Sequence, residues 1–148
     1  MVAGTGVLLL GPGDPAHAPA MANSFTTLGP SGWELYTLAN PGDADYDGRE
    51  DLLARNVTTN TVHLYRGATN HSLAARTTWG TSVWSVTDRP LLASGNDADY
   101  NGVPDLWATD NDGNLRFYPG NYDGSGNPTS GASVIVGSGG RQDMTDIS

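Results

Sequence analysis

The sequence predicts an all-β chain made of repeated, four-stranded antiparallel sheets. Three observations point there. Twenty glycines and nine prolines stand among 148 residues, far denser punctuation than the usual ~12%. The apolar residues fall in short runs bounded by turn residues, and no stretch keeps a 3.6-residue period over three turns. A D-x-D-x-[DN]-G-x-x-D segment occurs twice, 54 residues apart, with its neighbours in register.

The elements follow in chain order. Leu8-Leu9-Leu10-Gly11-Pro12-Gly13 is an early copy of an apolar stretch ending in glycine, which recurs as His63-Leu64-Tyr65-Arg66-Gly67 and Arg116-Phe117-Tyr118-Pro119-Gly120. Gly29 to Trp33 recurs as Gly80 to Trp84, 51 residues on. One full unit predicts strands at Leu35–Ala39, Asp51–Val57, Val62–Tyr65 and Leu73–Trp79, with a turn at Thr59-Asn60. The next predicts Leu91–Gly95, Asp105–Thr109, Leu115–Tyr118 and Ala132–Val136. Its second and third strands are joined through Asn111-Asp112-Gly113-Asn114, because Asp-Gly readily takes the positive φ that a tight hairpin needs.

Four strands per ~50-residue repeat is the arithmetic of a β-propeller blade. The expected division is a partial blade (strands 3 and 4) and connector over 1–34, complete blades over 35–83 and 84–140, and the start of a further blade over 141–148. Roughly 2.7 repeats cannot close a ring. The expectation is therefore a partial propeller or a segment of a larger one: either blades from a longer chain are missing, or copies self-assemble.

Charge narrows the function classes. The formal net charge is −9, with seven bases, all Arg. Without a basic stripe, nucleic acid and anionic membrane surfaces are poor partners. No apolar run nears ~18 residues, so no membrane insertion is expected. With no cysteine there is no disulfide scaffold, zinc ribbon or thiol nucleophile. Of the acids, 14 are Asp, and seven of those lie in the two repeated loops.

The loop pattern has the logic of a hard-cation site. Calcium takes roughly six to eight oxygens. Alternate residues of a tight loop point inward, glycine at position 6 permits the sharp return, position 7 offers a backbone carbonyl, and position 9 closes the shell. Loop 43–51 would supply Asp43, Asp45, Asp47, the carbonyl of Arg49, and Asp51. Loop 97–105 would supply Asp97, Asp99, Asn101, the carbonyl of Val103, and Asp105. Two Ca²⁺ sites are expected, the second weaker because Asn101 replaces an Asp. Position 12 is Ala54 or Ala108 rather than Glu, so neither loop is an EF-hand.

The D-x-D-x-D-G-x-x-D-L loop followed by L-x-x-Y-x-G resembles the FG-GAP (VCBS-like) repeat, which builds the calcium-bearing blades of integrin-α-type propellers and of many secreted bacterial proteins. The resemblance runs in phase over about 1–148 and is strongest over 35–120. It implies that the loop joins strands 1 and 2 of a blade and that calcium is structural. It also implies a role in adhesion, in lectin-type glycan binding, or as an accessory domain of a secreted hydrolase. Calcium loops point to an extracellular setting, with no signal peptide evident in this chain.

Four further residues are weighed as ligand contacts. Trp33 and Trp84 sit at equivalent repeat positions; they are either a sugar-stacking platform or packing between blades, and packing is favoured. Tyr46 and Tyr100, at position 4 of each loop, either cover the loop or face a ligand, and covering is favoured. His17, His63 and His71 share no metal spacing. No G-x-S-x-G elbow or phosphate-cradling glycine loop occurs, and every close carboxylate pair belongs to a calcium loop. No enzymatic activity is expected. The function read from the sequence is a binding or adhesion module with a protein or glycan ligand.

Overall fold

The computed structural model describes residues 6–11, 25–95, 97–140 and 145. It is all-β. Strands β1 (Leu8–Leu10) and β2 (Thr26–Gly29) pair as an antiparallel ribbon. Two four-stranded antiparallel sheets follow. The first orders β3 (Tyr36–Gly42), β4 (Asp51–Asn56), β5 (Val62–Tyr65) and β8 (Thr77–Gly80) side by side. The second does the same with β9 (Leu92–Gly95), β10 (Asp105–Thr109), β11 (Leu115–Tyr118) and β14 (Val134–Gly137). Each is a meander in sequence order, because short connections favour antiparallel neighbours.

A small ribbon interrupts each meander before its last strand: β6 (Gly67–Ala68) with β7 (Ser72–Leu73), and β12 (Gly120–Tyr122) with β13 (Pro128–Ser130). The expected single strand Leu73–Trp79 is thus two pieces. Leu73 ends the ribbon, and only Thr77–Gly80 joins the sheet. Strands β5, β10 and β11 have the expected bounds. The expected 141–148 element lies outside the described residues apart from Thr145.

The turns have local causes. Asn56 accepts the Thr58 and Thr59 N–H groups at 2.9 Å, ending β4. Asp110 does the same after β10, accepting from Asp112 at 3.1 Å and Asn114 at 2.9 Å. Asp110 is 4% exposed, and the Arg116 guanidinium bonds it at 2.7 Å. Burial opposes its ionisation, but these donors outweigh burial and bring its pKa down to about 2.

The core lies between the two sheets. Leu53, Val62, Leu64 and Trp79 of the first meet Leu92, Leu106, Ala108 and Tyr118 of the second. Strands β3 and β9 run next to each other at the inner edge. The connectors between units are built alike. Trp33 packs on Tyr65 in a tilted pair with centroids 5.1 Å apart, and Trp84 packs on Tyr118 in the same way at 4.7 Å. Each indole lies over the glycine that ends the preceding strand, Gly29 or Gly80, where a Cβ would collide with it. The far face of the second sheet carries Trp107 against Phe117, in register with Val134. Edge strand β14 exposes Val134, Ile135 and Val136, each about half.

Candidate metal centres

Both acidic loops occupy the place the sequence assigns them, between the first and second strands of a four-stranded sheet. Gly48 and Gly102 have φ of 85° and 91°, the left-handed turn in which a side chain is strained. Asp43 accepts the N–H groups of Asp47 at 3.1 Å and Gly48 at 2.8 Å. Asp97 accepts those of Asn101 at 2.9 Å and Gly102 at 2.7 Å. The backbone is wound identically, so the recurring letters D, D and G encode one loop shape.

The last carboxylate of each loop is buried: Asp51 is 4% exposed and Asp105 is 0%. Asp51 accepts from Ala44 at 2.9 Å and from Gly67 at 2.8 Å. Asp105 accepts from Ala98 at 2.6 Å and Gly120 at 2.7 Å. These glycines close the repeated Y-x-G stretch. A Cβ there would sit 2.4 Å from the Glu50 carbonyl, or 2.5 Å from those of Val103 and Pro104. The glycine is thus fixed by close approach to the loop, a role legible only once strands are paired. Burial is the main reason the Asp51 carboxyl titrates above its ordinary value; the Gly67 and Ala44 N–H groups oppose that, and the Asp45 and Asp43 charges add to it.

Oxygens of Asp43, Asp45 and Asp51 lie within 4.8 Å of one another, and so do those of Asp97, Asp99 and Asp105. A carboxylate oxygen that accepts one N–H keeps a second lone pair, so these clusters retain capacity for a hard cation. Asp47 is not in its cluster; its carboxylate pairs with Arg49, which also donates Nε–H to the Gly67 carbonyl at 3.0 Å. Arg66 bonds Asp45 at 2.8 Å. In the second loop Val103 stands at the place of Arg49 and Pro119 at that of Arg66. Asn101 there donates to Asp99 at 3.1 Å and to the Gly120 carbonyl at 2.9 Å.

Counting the loop residues alone ranks the first site as the more negative. Counting the neighbours in space reverses this. Four carboxylates face two guanidiniums at the first loop, whereas three carboxylates at the second face no arginine among the described residues. The two arginines are what the sequence reading missed, since Arg66 reaches its loop only through β-sheet pairing.

The aromatic candidates divide. Trp84 is 2% exposed and packed against Tyr118, with no face left for a ligand. Trp33 is half-buried against Tyr36 and Tyr65. Tyr100 is 92% exposed and shields nothing, contrary to the favoured expectation. Tyr46 is 60% exposed, and its hydroxyl reaches toward Gly102 of the second loop. Both tyrosines have positive φ, 60° and 61°, an uncommon conformation for a bulky residue. Tyr122 is also exposed; its partial burial pushes its hydroxyl pKa up, and the neighbouring Tyr46, Asp45 and Asp43 add to that.

No helix among the described residues is long and apolar enough to cross a membrane. No protein-family model, curated protein or solved structure matches the chain.

Proposed function

We propose that the chain is a non-enzymatic binding module of propeller-blade type, stabilised by calcium at both acidic loops and working outside the cell. One observation carries the reading. A three-carboxylate cluster recurs at the same place in two sheet units, anchored each time by a buried Asp that ties the loop to the exit of the third strand. A decorative acidic turn has no need of that anchor. Calcium would relieve the carboxylate repulsion, so its binding energy becomes folding energy.

The second loop is the tighter site on this reading. A guanidinium one carboxylate away from a divalent ion costs on the order of 1 kcal/mol even with water-like screening, roughly tenfold in affinity. Arg66 and Arg49 impose that cost on the first loop alone. Blade-type stacking is supported by the meander order, the adjacent first strands of the two sheets and the Gly-to-Trp joints. For the ligand surface we favour the loop rim with Tyr46, Tyr100 and Tyr122 over the packed tryptophans.

Calorimetric titration with Ca²⁺ tests the metal reading. Two binding events are expected, the weaker one abolished by Asp45→Ala and the tighter by Asp99→Ala. A titration without heat, together with a melting curve unmoved by chelator, would overturn it. A glycan array on the calcium-loaded protein, repeated with Tyr46→Ala/Tyr100→Ala, separates a glycan ligand from a protein one.

A further inference from the structure

At the inner edge between the two sheets, beside β3 and β9, lies a cavity of about 470 Å³ lined in part by Thr37, Asn40, Arg55, Pro90 and Ser94. Arg55 is only 1% exposed. It pairs in register with Thr37 of β3 and follows Leu53 on the core face of β4, so it projects toward the second sheet. Its terminal nitrogens donate to the Arg89 carbonyl and, at 3.2 Å, to that of Pro90. Its Nε has no partner among the described residues, and no carboxylate there forms an ion pair with it.

Ser94 comes from the opposite sheet. It pairs with Leu106 of the core face of β10, so it looks back toward Arg55. Its Oγ is also buried and without a partner among the described residues. Two unsatisfied polar groups, one of them a full charge, thus line one cavity from its two walls.

Two carbonyls accept from the guanidinium, which has five N–H groups, and no described residue compensates its charge. Burial lowers the Arg55 pKa, yet a guanidinium does not give up its proton in a protein. A buried cation without a counter-charge is costly. The repeat does not require it, because Thr109 holds the same position in the second unit.

We propose that this cavity is an anion site in which Arg55 and Ser94 bind a carboxylate. The planar fork of the guanidinium matches a carboxylate, and the hydroxyl supplies one further donor. The volume suits a small organic acid. Thr145 lines the same cavity, and its sequence neighbours Asp143 and Asp146, outside the described residues, offer the same chemistry from within the chain.

The test follows the Arg55 Nε–Hε resonance by nitrogen-15 NMR during an acetate titration of the full chain, at fixed ionic strength and calcium. The resonance is assigned through its bonds to the Arg55 backbone. A saturable shift in the unaltered protein assigns the site to a free acid. If instead Asp143→Asn/Asp146→Asn moves the resonance and makes it respond to acetate, the chain's own carboxylate fills the site. Either supports the proposal. A resonance that neither acetate nor the double variant moves overturns it. Ser94→Ala, which breaks no existing hydrogen bond, should weaken acetate several-fold in whichever protein responds; unchanged affinity would refute the two-residue site.

Discussion

Trp84→Ala puts the joint between the two sheets to the test. Trp84 is 2% exposed, its ring packs at a tilt on Tyr118 with centroids 4.7 Å apart, and Gly80 ends the preceding strand beneath its indole. Truncating a buried Trp costs about 3–5 kcal/mol, part of it the ~0.5–1.5 kcal/mol of the aromatic pair. The loss should sit near ~4 kcal/mol, because Tyr118 is held by its own strand and cannot collapse into the space. Trp33 occupies the same repeat position but is half-buried, so Trp33→Ala should cost roughly half as much. With a urea slope of about 2 kcal/mol per molar, the midpoints should fall by roughly 2 M and 1 M. Equilibrium urea unfolding followed by fluorescence and far-UV circular dichroism reads both. Equal midpoints, or a Trp84→Ala loss below ~1 kcal/mol, would refute the view that these tryptophans join the units.

Other expectations follow from the same geometry. Asp110→Asn should destabilise the protein by about 2 kcal/mol at neutral pH, since a carboxyl held at about 2 instead of its ordinary 3.8 is worth ~1.4 kcal/mol per unit. That contribution is complete above pH ~4 and fades as pH falls toward 2, so the variant should lose that part of the acid limb in pH-dependent urea titrations. Gly67→Ala and Gly120→Ala should each perturb one acidic loop, read as a lost Asp-bonded amide signal and a calcium heat reduced by one event; two intact binding events would count against the anchor. On the calcium reading, Arg66→Ala should tighten the first site roughly tenfold and leave the second unchanged in calorimetry.

The strands that sequence places correctly are those with alternation and a turn at each end. Strands β10 and β11 are bounded by an acidic loop, an Asp-Gly turn and a Tyr-x-Gly exit, and each signal is local. The ribbons β6–β7 and β12–β13 were not legible, because two or three residues of Gly, Asn, Ser and Pro carry no period-2 signal. For the same reason Leu73 and Trp79 read as one strand, although Ala74, Ala75 and Arg76 separate two pairings. At the site, the recurring Asp and Gly gave the loop's shape. Which carboxylates remain for a cation depends on Arg49 and Arg66, and the reach of Arg66 is set by strand pairing rather than by spacing. The tyrosines at position 4 were visible, but their exposure follows from a left-handed backbone that only the folded loop reveals.

The exposed edge strand β14 links conformational to colloidal stability. Its three consecutive β-branched residues are a template for strand addition by another molecule, and the charge of −9 is the main force holding molecules apart. On the calcium reading, two ions remove four of those charges while tightening the fold. The calcium-loaded protein should therefore resist heat better yet precipitate at lower concentration than the calcium-free protein, and added salt, which screens the repulsion of both forms, should narrow that difference in solubility. Formulation conditions that favour the native state and those that favour solubility would pull in opposite directions.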